Sequence, residues 1–275
     1  MAWLATQRTY FWLALAFFTR LPIPAKTPFS AELLNHASRY FSLVGWVIGS
    51  LALVSLGLAA QLFPIAMAVL LSMVVTLKLT GAFHEDGLAD MSDGLGGGMN
   101  RERKLEIMKD SRLGSYGSIA LIMALLIKFV ALSEISTRAL GDGLLALFCL
   151  HAASRALAGS LIFDMSYVRD EPSKAKPLAQ DQDRTDLLWL LIWGLLPLIL
   201  LTPMAAGLLI VTALALRLWL KRWLNRQIGG YTGDCLGAAQ QLAELSGYLV
   251  LLLLQHQQIN LAAPWLKALT QELWH

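Results

Sequence analysis

The sequence predicts an all-α, polytopic helical membrane protein with about seven transmembrane helices and an N-terminal re-entrant or interfacial helix. Three observations predict it. The 275 residues are 56% hydrophobic and only 15% charged, with mean hydropathy +0.57, whereas a typical soluble domain carries roughly 25% charged residues. Apolar runs recur at the length a helical crossing needs, about 20 residues. The basic residues fall almost entirely on alternate sides of those runs. The same composition excludes a disordered chain, a disulfide scaffold and a nucleic-acid-binding domain. Its two cysteines, Cys149 and Cys235, form no metal-type pair, and no basic tract is dense enough to follow a phosphate backbone.

Residues 9–19 are apolar but only 11 in number, between Arg8 and Arg20. Arg20-Leu21-Pro22-Ile23-Pro24 follows instead of a small-x-small cleavage site, so a re-entrant or interfacial helix is expected rather than a signal peptide. Residues 41–63 are 23 without a charge, and residues 65–80 form a shorter candidate behind Pro64. Residues 116–132 contain one charge, Lys128; residues 144–163 and 235–254 are broken only by Arg155 and Glu244. Residues 187–201 and 204–220 are divided by Thr202-Pro203, which reads as a tight turn between antiparallel helices. The tail, residues 261–275, carries Leu261, Trp265, Leu266, Leu269 and Leu273 at helical spacing and is expected at the surface.

Taken alternately, the polar stretches place 16 of the 22 Lys and Arg residues on one side, in residues 1–40, 81–115, 164–186 and 221–233. Only Arg138 and Lys267 fall on the other, and Lys78, Lys128, Arg155 and Arg217 lie within spans. The loops 81–115, 164–186 and 221–234 are therefore expected in the cytoplasm. No internal repeat and no inverted symmetry is visible, so one domain over residues 1–275 is the simplest organisation.

The chemistry concentrates in the passage from Gly81 to Gly94. Asp86, Asp90 and Asp93 stand at i, i+4 and i+7, which a helix would put on one face, with Glu85 pointing away. Like charges at that spacing repel. A hard divalent cation relieves them, and Mg²⁺ takes one or two carboxylates together with substrate phosphate oxygens. The plain alternative is an acid-rich solvated helix end, which has no need of a single carboxylate face. His84 is adjacent, a base candidate or a hydrogen-bonded structural group. Gly94–Gly98 lacks the Gly-Lys-Ser/Thr of a P-loop. Farther on, Asp110 can complete a metal site and Arg112 suits bidentate phosphate binding, or both anchor the membrane interface. Arg169 in Tyr167-Val168-Arg169 is a candidate contact for an anionic substrate. Thr232 or Asp234 suits a helix N-cap, behind which amide donors can meet a phosphate. Glycines at 229, 230, 233 and 237 point to close approach of backbone to a ligand or another helix. Lys78, Lys128, Arg155 and Glu244 within the membrane need partners or water, and Lys78 is near enough in sequence to balance the acids.

Together these passages resemble the cobalamin synthase family of adenosylcobinamide-GDP ribazoletransferases. The matching pieces are Phe18-Thr19-Arg20-Leu21-Pro22-Ile23-Pro24, the run His84 to Gly94, Glu106-Ile107-Met108-Lys109-Asp110-Ser111-Arg112-Leu113-Gly114, Tyr167-Val168-Arg169 and the run Gly229 to Ala238. They keep the family's order from residue 18 to about 245. Asp170-Glu171-Pro172 follows Arg169 where the family usually has glycine and acidic residues.

The resemblance implies a Mg²⁺-dependent integral membrane transferase of the bacterial cytoplasmic (inner) membrane, its three loops forming the active site. It would join adenosylcobinamide-GDP to α-ribazole or its 5′-phosphate, releasing GMP, late in vitamin B12 assembly. On this reading His84, Asp86, Asp90 and Asp93 are the catalytic candidates. Asp86, Asp90 and Asp93, with Asp110, are the metal candidates, and Arg112, Arg169, Thr232 and Asp234 contact substrate. The partners are the two substrates and membrane lipid, not nucleic acid, and a homo-oligomer is left open. Two rivals stand beside it. A secondary transporter predicts midplane carboxylates and internal symmetry. A CDP-alcohol phosphotransferase performs analogous chemistry, but the Ala-Arg of its signature is absent here.

Overall fold

A computed structural model describes residues 2–110, 112–169 and 182–266, and these are helical with no strand beyond two isolated bridges. The order is α1 (Ala2–Phe18), α2 (Ala31–Ala37), a 3₁₀ turn (Ser38–Tyr40), α3 (Phe41–Ala59), α4 (Ile65–Thr80), α5 (Phe83–Gly97), α6 (Arg101–Ile107), α7 (Ser115–Arg138), α8 (Leu140–Ser160), α9 (Arg184–Leu195), a second 3₁₀ segment (Leu196–Leu200), α10 (Pro203–Ile228) and α11 (Gly233–His256).

Five helical stretches are long and apolar enough to cross a membrane: residues 31–59, which end in α3, and α7, α8, α10 and α11. A sixth is reached if α4 and α5 count as one bent span. By length and composition the described residues thus give five or six such stretches, against the seven expected. The apolar run before Thr202 is split, because Pro197 opens a 3₁₀ segment after only 12 residues of α9. The expected turn at Thr202-Pro203 is present, Thr202 capping α10 and Pro203 taking its first position. The N-terminal helix begins earlier than residue 9 and ends at Phe18. In the tail, Leu261 and Ala263 pair with Thr202 and Leu200, whereas Leu269 and Leu273 lie outside the described residues.

Lipid and core sort the helices. Ile119, Ile122, Met123, Leu126 and Val130 on α7, and Val211, Leu214, Leu218 and Trp219 on α10, are exposed. An apolar face of that size is stable only against hydrocarbon. By contrast α8 is buried along most of its length, with α3 crossing it closely. A Cβ on Gly45 would land on the His151 carbonyl, and one on Gly49 would meet the Phe148 Cα at 3.0 Å. Small residues let helix backbones approach in this way where no hydrophobic effect drives them together.

The segment 81–115, expected as a loop, is built mainly of α5 and α6. Gly81 (φ 65°) and Ala82 (φ 57°) are both left-handed, and two such residues in succession turn the chain by 84° between α4 and α5. Arg20 braces this bend. Its amide donates to the Leu79 carbonyl at 2.7 Å, and its guanidinium fills the place where a Gly81 Cβ would sit. The N-terminal Thr19-Arg20-Leu21-Pro22 passage thus fixes the direction in which α5 leaves α4.

Two glycine substitutions separate packing from propensity. Gly207, inside α10 with open space around its missing Cβ, should accept Ala with a gain of about 0.5–1 kcal/mol. Gly45→Ala should instead cost about 1–3 kcal/mol through overpacking against α8. Unfolding midpoints of the detergent-solubilised protein check both.

Candidate active site

The acid helix α5 lies against α11 and α7, and the contact with α11 is a meeting of backbones. A Cβ on Gly87 would come within 2.9 Å of the Asp234 carbonyl and 3.2 Å of the Gly237 Cα; one on Gly237 would meet the His84 carbonyl at 3.2 Å. The glycines of residues 229–237 therefore serve helix contact at Gly237. Gly229 (φ 79°) closes α10, and Gly230 admits the Ser166 carbonyl.

This contact sorts the four carboxylates of α5. Asp86 is exposed and Asp90 half-buried. Asp90 stands in the combined field of Asp234, Asp86 and Asp93, opposed by Arg169. Asp93 is buried and structural: its Oδ2 accepts the Gly114 amide at 2.7 Å and its Oδ1 the Gly117 amide at 2.9 Å. Those are amides at the start of α7, where helical donors otherwise lack partners. Any side chain on Gly114 or Gly117 would collide with that carboxylate, which explains both glycines of the 110–117 passage. Glu85 faces the interior, its Oε1 accepting from Gln241 at 3.0 Å.

Opposite this face, two chain segments far apart in sequence are stitched together. Tyr167 and Tyr231 form a parallel bridge, with the Val168 amide donating to the Tyr231 carbonyl and the Tyr231 amide to Ser166, both at 3.0 Å. The stitch delivers Arg169 to α11. Its Nη2 donates to Asp234 Oδ2 at 2.5 Å and to the Met108 carbonyl at 3.1 Å, while its Nε is buried with no hydrogen-bond partner. Thr232 is the N-cap of α11, accepting the Cys235 amide at 3.3 Å, and is fully buried. Of the two N-cap candidates it is Thr232 that caps, leaving Asp234 to face Arg169.

The other expected residues lie apart from this group. Asp110 and Arg112 form a surface fork with contacts of 2.6–3.0 Å. The Arg112 hydrogen bonds hold the Asp110 carboxyl down to about 2. His84 is 2% exposed, its ring lying nearly parallel to those of Phe18 and Phe41 and its Nε2 unpartnered. Lys78 is exposed on α4 and forms no ion pair with the acids. Asp86, Asp90, Asp93 and Asp110 do not converge as one ligand set. Among the described residues, the single trio with ligand atoms within 4.8 Å of one another is His36, Asp183 and Asp186. That trio is occupied by its own bonds: Arg39 Nε donates to Asp186 at 2.6 Å, and Asp183 and Asp186 form the capping box of α9.

Sequence reasoning did not find the Asp93 tether or the residues behind α5, namely His151, Gln240 and Gln241. The tether had a signal, Gly114 and Gly117 three apart before an apolar run. The others had none, since a single Gln or His in an apolar helix reveals nothing of its partners.

Removing the tether should loosen α7 at its start. Asp93→Ala leaves two amides unpaired and should cost about 1–3 kcal/mol. Amide exchange should rise at residues 114–118 before it rises elsewhere; unchanged exchange there would remove the tethering role.

The sequence profile of the family described as cobalamin-5-phosphate synthase matches residues 10–252. A Shewanella amazonensis protein named adenosylcobinamide-GDP ribazoletransferase is 53% identical over 249 residues, 90% of this chain and 96% of its own. Proteins of the same name from Vibrio cholerae and Vibrio parahaemolyticus are 50% and 48% identical over 255 and 252 residues. Each alignment takes in 91% of this chain, and 96% and 94% of theirs. No solved structure matches the chain.

Proposed function

The chain belongs to the cobalamin-5-phosphate synthase family, and from that premise we propose that it works as an adenosylcobinamide-GDP ribazoletransferase. It joins adenosylcobinamide-GDP to α-ribazole or its 5′-phosphate and releases GMP, in the last steps of cobalamin assembly. The observation that supports this reading best is the pairing of Asp86 and Asp90 on α5 with Asp234 and the partly unsatisfied Arg169. Transfer of a phosphoryl centre between two oxygens asks for positioning and charge neutralisation more than for covalent chemistry.

Mg²⁺ fits the donors at this face, which are hard carboxylate oxygens, exposed at Asp86 and half-buried at Asp90. These two would hold it. Asp93 offers only the lone pairs left by its two amide bonds, and Asp110 only what Arg112 leaves. Bound there, the ion would neutralise charge on the diphosphate. The chain's own residues do the rest. Arg112 presents its exposed guanidinium to phosphate oxygens, while Arg169, bonded to Asp234 and the Met108 carbonyl, holds positive charge beside the acids. A carboxylate oxygen that does not hold the ion is the acceptor for the attacking hydroxyl's proton. His84 is enclosed by Phe18, Phe41 and Phe83.

The enzyme is multi-pass, and we place it in the cytoplasmic membrane with α5 and α6 facing the cytoplasm. The support is the placement of 16 of the 22 basic residues on that side. Surrounding lipid covers α7 and α10.

Asp86→Asn and Asp90→Asn should each lower GMP release by about 10²-fold or more in detergent-solubilised protein at saturating Mg²⁺. Near-normal turnover of Asp86→Asn would remove the metal assignment. Orientation is read at Met99, which is 95% exposed. Because Cys149 and Cys235 are buried, Met99→Cys should react with an impermeant maleimide in inverted vesicles and stay silent in right-side-out ones.

A further inference from the structure

Behind the reacting face of α5 runs a polar chain that the reaction above does not use. Lys128 Nζ on α7 pairs with Glu244 Oε1 on α11 at 2.5 Å. Gln240 Nε2 donates to the other oxygen, Glu244 Oε2, at 2.7 Å. Gln241 Nε2 donates to Gln240 Oε1 at 2.8 Å and to Glu85 Oε1 at 3.0 Å. From α8, Ser154 accepts from Gln240 at 3.0 Å, and His151 Nδ1 lies 3.5 Å from Glu244. Lys128, His151, Gln240, Gln241 and Glu244 are each no more than 4% exposed.

Stability alone is a poor reason for such a chain. A buried ion pair roughly breaks even with apolar residues of the same volume, and leucines would fill this space. What a connected polar network supplies is a favoured arrangement: this one leaves Glu85 Oε2 and His151 Nε2 unpartnered, and breaking any of its bonds leaves further buried groups unsatisfied. This chain ends on Glu85, the residue before Asp86. The helix it reaches is weak by itself, with glycines at 87, 94, 96 and 97, each costing about 1 kcal/mol of helix propensity. Its far end is already fastened through Asp93 to α7.

We propose that Lys128, Gln240, Gln241 and Glu244 are positioning residues that set the rotation of α5 about its own axis through Glu85. Two carboxylates, Glu85 and Asp93, then fasten the helix at either end, and the two between them, Asp86 and Asp90, are held toward Asp234 and Arg169. The proposal rests on the transferase reading for its activity readout and on the geometry alone for its structural one.

The test uses the full-length protein in nanodiscs, with GMP release measured for Gln241→Leu, Glu85→Leu and Glu85→Gln. Gln241→Leu and Glu85→Leu should each lower kcat by about tenfold or more while KM for adenosylcobinamide-GDP stays within about twofold, the mark of misplacement without lost binding. Glu85→Gln keeps an oxygen that accepts from Gln241 and should retain at least about half of kcat, as expected if the hydrogen bond and not the charge is needed. Amide exchange in the two leucine variants should quicken over α5 and not over α8. Wild-type kcat in Gln241→Leu, a loss confined to KM, or Glu85→Gln as slow as Glu85→Leu would each overturn the proposal. Should the unsubstituted protein release no GMP, the transferase reading fails. The exchange comparison then decides alone, and unchanged α5 exchange in Gln241→Leu refutes the positioning role.

Discussion

A helix carrying five titratable residues in its first eleven positions can lie among apolar spans only if something holds it there at close range. Here that constraint is the backbone contact of Gly87 with Gly237. It brings α5 near enough to α11 for Asp90 to feel Asp234. Each remaining feature of the site depends on it. The Arg169 stitch needs Asp234 in place, the Asp93 tether needs α5 laid across the start of α7, and the bend at Gly81-Ala82 supplies the angle at which both are possible. A methyl group at either glycine would push the acids away from the arginine.

Much of this was legible in the sequence. Apolar runs marked the spans because hydrocarbon tolerates little else, and the boundaries 65–80 of α4 were visible in Pro64 before and Gly81 after. In a passage expected as part of a loop, the carboxylate spacing showed what a helix would do with three acids. Its partners were not legible. Periodicity reports which residues share a face, but not which other helix that face meets, so Asp93 looked like a third equivalent acid when it is a cap for α7. Composition also says nothing of how a proline shapes an apolar run: 187–201 has the hydropathy of a crossing and is built as a short helix with a 3₁₀ tail. The tripeptide Tyr167-Val168-Arg169 carried the weakest local signal and turned out to occupy a central position, because a bridge between distant segments leaves no trace in either one alone.

The membrane setting also explains the economy of charge. Of the 41 Asp, Glu, Lys and Arg side chains, 26 fall in residues 81–112, 164–186 and 221–234. Most of the others that enter the bundle are paired, as Lys128 is with Glu244. An unpaired ion would cost several kcal/mol in that surrounding. Charge is thus admitted where it binds another charge, lies at the face of Asp86 and Asp90 or, at Arg155, donates to the His151 carbonyl.

The bridge between Tyr167 and Tyr231 and the place of Asp234 at the head of α11 have a consequence for biosynthesis of the enzyme itself. Residues 86, 169 and 234 emerge from the ribosome in that order, at roughly 5–20 residues per second, and until α11 arrives α5 has only α6, α7 and the Arg20 brace to rest against. The acid helix must therefore wait, bent and incompletely packed, while five further helices are made. A chain interrupted before residue 234 carries the carboxylates without their arginine partner's anchor or their glycine neighbour. Assembly of this face therefore waits on the last of the long helices, because Asp234 and Gly237 come only with α11.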